Sequence, residues 1–392
     1  METTTIKKTF PLWALMSLSS AYFMVGTSSL SVIGLTWRIS EGLQVPPADI
    51  AFLVTVFALT FAVAAPMTQV LFSHIVRVKV LAIGLTVLAI GLVMGAFSVN
   101  YTMLFFSRAL MGLGAAAVSP VCSAIGAGLA APEHQGRAIG IVFAGLTIAS
   151  VLGTPLSAYL GTLIDWRMVM LLLAVLALLS MSAVLYFVKD RNAGAPIRFF
   201  HLVEALIRPR TAFAILLTFL QMTSIFCTYA LIAPFMHEKF ALGENLLAVV
   251  MLTYGINGVI GNVVAGRLSD RLGANKIILI SLVGIGSGFF GLWLVGPQLW
   301  LGFVMLASWS FFGMMFHSPQ QQRLANIDPD RRGLLLALNA GSLYLGISIG
   351  SGVSNFVSVH FGFLVLPLVS TGVLISCLAV FWMSVYAMKK AA

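Results

Sequence analysis

Residues 145–161 read GLTIASVLGTPLSAYLG, and residues 342–358 read SLYLGISIGSGVSNFVS. Both stretches carry a small residue at every fourth position, and the two sets coincide when the chain is shifted by 197 residues. Residues four apart lie on one face of a helix, where small side chains let helix backbones approach closely. The same shift superimposes three pairs of identical residues: Lys79 and Lys276, Pro132 and Pro329, Gly136 and Gly333. Such a duplication is typical of two-halved secondary transporters.

The composition places the chain in a membrane. Hydrophobic residues make up 60% of the 392 and charged residues only 9%, and the mean hydropathy is +1.03. A soluble domain needs about a quarter of its residues charged. The first apolar run is longer than the core of a signal peptide, so we interpret it as a retained span.

Twelve apolar stretches have the roughly 20 residues needed to cross a bilayer. The predicted fold is therefore an all-α membrane bundle of twelve transmembrane helices in two pseudo-symmetric six-helix halves, residues 1–188 and 211–392. A polar linker, 189–210, joins them, and its segment 199–207 has the pattern of a short amphipathic helix. The predicted spans are 10–34, 49–72, 78–98, 101–130, 138–163, 166–188, 211–236, 246–268, 276–296, 299–325, 333–358 and 361–388.

The basic residues fix the predicted orientation. With the N-terminus inside, the inner segments hold 18 of the 22 basic residues, from Lys7, Lys8 and Arg77 through Arg191 to Lys389 and Lys390. Outer loops keep Arg38, Arg167 and Lys239. This asymmetry predicts that both termini lie in the cytoplasm. The net charge of +10 is thus explained by topology, and no nucleic-acid partner is expected.

Signs of covalent chemistry are missing from the sequence. It contains no phosphate-binding glycine loop, nucleophile elbow or metal-ligand spacing. Cys122, Cys227 and Cys377 all fall inside predicted helices, where inert buried thiols are expected. We therefore predict that the protein is not an enzyme and needs no cofactor or metal.

The most specific local motif is residues 266–276, GRLSDRLGANK, a glycine-flanked turn with cations for an anionic leaflet. It resembles the inter-helix signature of the major facilitator superfamily. The resemblance implies that Asp270 contacts the N-terminus of the eleventh span and latches the inner gate, with Gly266, Arg271 and Lys276 as further gating residues. In the first half Ser73 replaces the acid, which predicts an asymmetric latch.

Three further stretches strengthen the resemblance: RALMGLG at 108–114, GTP at 153–155, and SPQQQRL at 318–324 followed by LNAGSLYLG at 338–346. The first resembles the family's fourth-span signature, and the second resembles the Gly-Pro signature in the fifth span of its antiporters, here split by Thr154. The last two resemble the arabinose-efflux-like branch of the bacterial drug:proton antiporters, which implies an inner-membrane location. Gly153, Pro155 and Gly350 are predicted to act in gating. We expect the fifth and eleventh spans to pair across the halves, so that leucine at Gly153 or Gly350 would block their motion.

Coupling to protons is implied by the family but weakened by one substitution. Members of this branch often carry an acid in the first span, where this chain has Ser29. No acidic residue lies in the middle of a predicted span. His317 is the only mid-span histidine, and Asp49 and Glu41 lie at the outer edge, so these are the candidate titrating groups.

The remaining pathway candidates are polar residues inside spans. Arg108 is the one charge inside a span, and it either serves the transport pathway or extends its charge to the membrane surface. His317 either contacts substrate or protons, or is a neutral imidazole bonded to a neighbouring helix. Five further polar residues are candidates for substrate contact or for interhelical packing: Gln221, Asn257, Asn262, Asn339 and Tyr344.

The predicted function is secondary active transport by alternating access, with export of a small organic compound in exchange for protons. The expected partners are that small molecule, protons and the lipid bilayer, and a monomer is expected. A proton-independent facilitator or importer of a sugar or metabolite has the same fold, and the missing first-span acid favours it. A transport-inactive sensor or scaffold is the third possibility, which the altered first-half loop favours and the intact Asp270 loop opposes.

Overall fold

The computed structural model describes residues 11–45, 47–190, 198–242 and 244–390. Lys7, Lys8, Arg191 and the first residues of the chain lie outside these ranges, so their predicted location is not described. Within them the chain is helical and contains no β-strand. The α-helices are α1 (Leu12–Leu43), α2 (Pro47–Leu71), α3 (Arg77–Ala96), α4 (Tyr101–Leu129), α5 (Gln135–Leu163), α6 (Trp166–Phe187), α7 (Phe199–Ile207), α8 (Pro209–Tyr229), α9 (Ile232–Phe240), α10 (Glu244–Leu272), α11 (Ala274–Leu294), α12 (Leu299–Met315), α13 (His317–Ile327), α14 (Arg332–Phe361) and α15 (Leu366–Lys390).

The helices confirm the all-α transmembrane fold. Eleven segments of the described chain are long and apolar enough to cross a membrane, with α12 and α13 together forming one of them. The remaining long helix, α10, is the twelfth, and it carries the charged 266–272 motif at its end. Most begin and end within a few residues of the predicted spans, but α1 continues to Leu43, nine residues past the predicted end of the first span.

Two predicted spans are each divided into two helices, although residues 299–327 still form one candidate membrane span, as predicted. The seventh was predicted over 211–236, but α8 ends at Tyr229 and a separate short helix, α9, begins at Ile232. The tenth was predicted as one helix over 299–325, but the chain changes helix between Met315 and His317. A proline follows each break by four residues: Pro234 comes after Ala230, and Pro319 comes after Met315. Proline has no N–H, and its ring clashes with the carbonyl four residues earlier, so the usual breaking signal was present in the sequence at both places.

The small-residue stripes of α5 and α14 pack within each half, which corrects the predicted pairing across halves. A Cβ added to Gly153 would meet Thr27 of α1 at 3.3 Å, and one added to Gly350 would meet the Thr223 carbonyl oxygen of α8 at 2.6 Å. The main helix pairs that cross between α1–α6 and α8–α15 are α5 with α10 and α2 with α14, and smaller contacts join α4 to α14 and α5 to α13. The stripes therefore act in the packing of each six-helix group.

Leucine at Gly350 is expected to destabilise the protein directly. The added side chain would collide with the α8 backbone, and overpacking of this kind costs about 1–3 kcal/mol. Gly352, two residues further along α14, has no atom within 4 Å of its Cβ position. We expect Gly350→Leu to lower the thermal unfolding midpoint of the purified protein by several degrees and Gly352→Leu to leave it unchanged. Equal midpoints for the two variants would contradict the proposed packing.

Two apolar cores lie on either side of the α5–α10 and α2–α14 contacts. Phe61 and Leu88 belong to a core built mainly from α1–α6. Phe289 and Trp309 belong to another built from α8–α15. Burial of these large side chains stabilises each group. A third core joins residues of α4 and α5 to residues of α8, α13 and α14, so the two groups also share an apolar contact.

The predicted amphipathic helix in the linker is present as α7, with the predicted bounds. Leu202 and Ala205 are buried against neighbouring helices. Glu204 accepts a hydrogen bond at 2.7 Å from Arg331, which precedes α14. This bond lowers the pKa of Glu204 below its ordinary value, so the pair persists at neutral pH and is lost only in acid. The linker is thereby tied to the start of α14.

The end of the bundle that holds the turns α2–α3, α4–α5 and α10–α11 is here called the basic end. It carries Arg77, Arg137, Arg267 and Arg271. This is the end that the charge distribution predicts to face the cytoplasm.

Candidate functional site

The first turn of α5 forms a closed contact with α10 at the basic end. His134, the residue before α5, provides no side-chain cap, and a helix start leaves its first backbone N–H groups without helical partners. The Gly136 N–H donates to Asp270 Oδ1 at 2.7 Å and the Arg137 N–H donates to Oδ2 at 2.9 Å. A carboxylate at a helix N-terminus is also favoured by the helix dipole. We call this contact the α5 latch.

Side chains from α10 and α13 extend the α5 latch. Gln322 Nε2 donates to Asp270 Oδ1 at 3.2 Å. The Ser318 hydroxyl donates to the Gly136 carbonyl at 3.0 Å, and Asn262 Nδ2 donates to the Gly140 carbonyl at 3.0 Å. These three bonds add to the carboxylate contact, and two of them join α5 to helices of the other group. The gap between the two groups is therefore closed at the basic end.

The prediction that Asp270 contacts the eleventh span is wrong. That span is α14, whereas Asp270 contacts α5, the fifth span, because α10 packs along α5. The start of α14 instead faces α2, where a Cβ on Gly333 would meet Gln69 Oε1 at 2.7 Å. Ser73, the counterpart of Asp270, lies in the turn after α2 and donates to the Val70 carbonyl near the end of that helix. The carboxylate latch thus occurs on one of the two symmetry-related sides.

Arg108 is fully buried among Ser28, Ser29 and Phe57, and we call these residues the Arg108 cluster. Asn100 caps the start of α4 by accepting from the Met103 N–H, and Arg108 follows two turns later with an exposure of 0%. Its Nη1 donates to the Ser28 carbonyl at 2.6 Å and its Nη2 to the Ser29 carbonyl at 2.9 Å. Its guanidinium lies 4.9 Å from the centre of the Phe57 ring.

The hydrogen-bond partners of Arg108 are all neutral groups, which is unusual for a buried cation. Among the described residues no carboxylate forms an ion pair with Arg108, and its third backbone partner is the Leu53 carbonyl at 3.4 Å. Full burial excludes the alternative in which the side chain extends to the membrane surface. A buried permanent cation without a carboxylate is costly, and such groups in spans commonly mark transport pathways.

Tyr344 is a residue of the α8–α15 group that lies beside the Arg108 cluster. It projects from α14, interacts with the Ser29 side chain and lies close enough to Arg108 for electrostatic interaction. Its ring packs on Phe61 of α2, with centroids 4.2 Å apart. Three residues that the sequence singled out separately, Ser29, Arg108 and Tyr344, are thus neighbours in space.

His317 forms an aromatic contact across the junction. Its ring stacks on Phe143 of α5, with centroids 5.0 Å apart and planes 26° apart. The side chain is 4% exposed. It lies at the start of α13, one residue before Ser318 of the α5 latch. A change at His317 therefore acts directly on the closed contact between the two groups.

A chain of amides lies inside the second group. Thr218 donates to Asn339 Oδ1 at 2.6 Å, and Gln320 Nε2 donates to the Ala214 carbonyl at the same distance. Gln221 is fully buried, and its Oε1 has no hydrogen-bond partner among the described residues. Such an acceptor in a membrane interior is available to a substrate donor or to water.

The remaining predicted residues lie elsewhere. Asp49 is exposed at the start of α2, where its backbone carbonyl accepts from the Tyr101 hydroxyl. Asn257 donates to the Thr253 carbonyl of its own helix. Arg271 and Lys276 are exposed at the basic end, and Gly266 packs against Gly136 beside the α5 latch. The side chain of Pro155 lies outside the described part of the chain.

Sequence reasoning missed Gln322, Ser318 and Thr218 as members of these sites. The run 318–323 was noted only for its resemblance, although six polar or proline residues in an apolar span are themselves a signal. Among the described residues no cluster of metal-ligating side chains occurs, and the three cysteines are free and buried, as predicted.

These features define a membrane carrier: two helix groups, a hydrogen-bonded closure at one end, and buried polar residues at their junction. The family model of the Major Facilitator Superfamily matches residues 16–217 and again 214–391. The chain belongs to this superfamily of transporters. Members of this family are not enzymes, in agreement with the prediction.

Curated relatives extend over nearly the whole chain. The inner membrane transport protein YdhP of Escherichia coli O157:H7 is 26% identical over 383 residues, covering 96% of this chain and 97% of the relative. The uncharacterized MFS-type transporter YbcL of Bacillus subtilis is 24% identical and covers 88% of each.

Solved structures share the fold. The human organic anion transporter MFSD10 superimposes with a TM-score of 0.78 at 14% identity, covering 95% of this chain and 99% of its own. FucP in its outward conformation gives a TM-score of 0.76 at 13% identity, covering 95% and 98%. The proton:xylose symporter XylE gives 0.76 at 13%, covering 95% of each. These likenesses agree with the twelve-helix architecture.

Proposed function

We propose that this transporter is a secondary active antiporter that exports a small organic compound in exchange for protons. It alternates access between halves 1–188 and 211–392, joined by the linker 189–210, and acts as a monomer in a bacterial inner membrane. The basic end faces the cytoplasm. The observation that carries the proposal is the α5 latch, a closure made by hydrogen bonds between α5 and two helices of the other half.

Hydrogen bonds of this kind suit a gate. The α5 latch is built from one carboxylate and a few neutral groups near water, so its hydrogen bonds can be exchanged for bonds to water when it opens. Apolar residues of α4 and α5 also pack against α13 and α14 at this end, and they separate in the same motion. The cores of the two halves remain packed while the contact between them breaks. Each half then moves as a body, which is the motion that alternating access requires.

His317 is the proposed proton site. When the α5 latch is closed, its ring is held between Phe143 and Phe316 and almost sealed from water. A positive charge there is disfavoured by the loss of hydration. Protonation therefore favours the conformation in which the basic end is open. A carrier whose protonated form turns inward and whose substrate-bound form turns outward exchanges the two across the membrane.

The Arg108 cluster and the amide chain supply the proposed substrate contacts. Arg108 fixes a positive charge beside Tyr344 at the junction of the halves. Gln221 adds an unpartnered acceptor in the second half. A site with a fixed cation, a phenol and amides favours polar or anionic organic compounds over cations. Asn339 and Ser29 position these groups.

Transport into proteoliposomes tests the proposal against its alternatives. A thermal-shift screen over drugs, sugars, nucleosides and amino acids would first supply a ligand. Uptake of that ligand driven by an imposed pH gradient, in the direction opposite to the proton flux, is the expected result. Flux independent of the gradient would indicate a facilitator, and flux parallel to the protons an importer. A protein that binds the ligand without flux would be a sensor or scaffold.

Replacement of His317 separates coupling from transport. His317→Phe keeps an aromatic ring against Phe143 but removes the titrating group. We expect accumulation driven by the pH gradient to fall at least about tenfold, since no proton is bound, while exchange of labelled for unlabelled ligand continues. The matched control is His360→Phe, an exposed histidine that stacks on Phe356 at 4.4 Å. If His317→Phe retains full gradient-driven accumulation, His317 is not the proton site.

A further inference from the structure

A cavity of about 530 Å³ opens at the basic end between α8, α11, α13 and α15. Three cations line it: Arg210, Lys276 and Arg323. The other polar lining residues are Asn275 and Asn326, and no carboxylate contributes to the described lining. Positive charge therefore accumulates here without a counterion from the protein, and the three arginine or lysine side chains come from separate helices.

Arg323 distinguishes this cavity from a solvated basic surface. Its side chain is 5% exposed, although it is a permanent cation. Its Nη2 donates to the Ser384 hydroxyl and its Nε contacts Met388 Sδ at 3.2 Å. Its Nη1 has no hydrogen-bond partner among the described residues. A buried guanidinium with neutral neighbours and an unused donor is a group that an anion would stabilise.

The start of α11 adds backbone donors. Gly273 precedes this 21-residue helix with φ of 84°, and no side chain caps the first turn. Gly273, Ala274 and Asn275 all line the cavity. The N–H groups of a first helical turn carry partial positive charge and favour anions. The buried Arg323 and the start of α11 therefore both border the same cavity.

We propose that this cavity binds a phosphate group. Arg323 would donate to a phosphate oxygen from Nη1, Lys276 and Arg210 would supply charge, and the first turn of α11 would add backbone N–H groups, as in other phosphate sites at helix starts. The phosphate belongs either to a soluble phosphate compound or to the headgroup of an anionic lipid in the adjoining leaflet. The site lies outside the substrate pathway proposed above and does not depend on it.

The repeat in the sequence offers a matched control. Lys79 occupies the position in the first half that Lys276 occupies in the second, both are exposed at the start of a helix, and Lys79 does not line the cavity. Lys276→Gln should therefore weaken anion binding, and Lys79→Gln should not. Because both lysines are exposed, neither variant is expected to disturb folding. Arg323→Gln tests the buried cation separately.

The test measures the thermal unfolding midpoint of purified protein in two arms. In detergent, inorganic phosphate is titrated against chloride of equal ionic strength. In nanodiscs, phosphatidylcholine is compared with an equimolar mixture of phosphatidylcholine and phosphatidylglycerol. We expect the anion to raise the midpoint, with apparent affinity about tenfold weaker in Lys276→Gln, the usual effect of removing one charged hydrogen bond.

The outcomes separate the two sources. A phosphate response lost in Lys276→Gln but kept in Lys79→Gln supports a soluble phosphate compound. A response to phosphatidylglycerol alone, with the same dependence on Lys276, supports a lipid headgroup. No response in either arm, or equal loss in the two lysine variants, would overturn the proposal.

Discussion

Asp270→Asn is expected to shift the carrier toward the conformation that is open at the basic end. The carboxylate accepts from two backbone N–H groups, one on each oxygen. Asparagine offers a single acceptor oxygen and places its amide N–H groups against the other donor. Hydrogen bonds to a charged group contribute about 1.5–3 kcal/mol, so the ratio of closed to open protein should fall at least about tenfold.

Spin labels at Glu133 and Arg271 would measure that shift, because both positions are exposed on opposite sides of the α5 latch. Pulsed dipolar distances should lengthen in Asp270→Asn, and net transport should fall by a similar factor if the α5 latch is the gate proposed above, because the basic end then no longer closes. Ser73→Ala is the control, since in the described structure Ser73 donates only to the nearby Val70 carbonyl and not to the other helix group. Equal effects of the two substitutions would refute the asymmetry of the latch.

The fold could be predicted from sequence because the membrane imposes few choices. In lipid, the backbone N–H and C=O groups of a single span find hydrogen-bond partners only within a helix. Each long apolar stretch therefore folds as a helix. The 197-residue repeat and the basic residues then order the helices. Pairing between helices was less predictable: the stripes through Gly153 and Gly350 predict close packing but do not identify the partner. The structure shows that the partners lie inside each half.

The candidate site was also predictable from the sequence only in part. Arg108 and His317 stood out because a titratable or charged residue in a span is rare. The hydrogen-bond partner of Asp270 could not be predicted, because it is the backbone of α5 at Gly136. Nearly every residue type has the same backbone groups, so the sequence does not indicate which of them forms a contact. Ser29, at the position of the family's acid, indicated that Arg108 would have neutral neighbours. The hydrogen bond from Arg108 to the Ser29 carbonyl could not be predicted, because it depends on how α1 packs on α4.

Arg108→Met should abolish transport while leaving the protein as stable as before, or more so. The carbonyls of Ser28, Ser29 and Leu53 lie within helices and keep their helical hydrogen bonds when the guanidinium is removed. No carboxylate among the described residues is left unpaired by the change. Replacing a buried charge by a hydrophobic residue of similar volume is often neutral or stabilising. A residue kept for packing alone would show the opposite, a loss of stability with transport retained.

Arg108→Lys distinguishes the geometry from the charge. An ammonium keeps the positive charge but is a compact donor that cannot reproduce the planar fork of a guanidinium. Arg108 uses that fork to contact α1 through Ser28 and Ser29 and α2 through Leu53 at once. We expect the lysine variant to retain ligand binding in a thermal-shift assay and to lose most of its transport rate, because the cation no longer joins the three helices. If lysine restores full transport, a positive charge is sufficient and the joining of α1, α2 and α4 is not part of the mechanism.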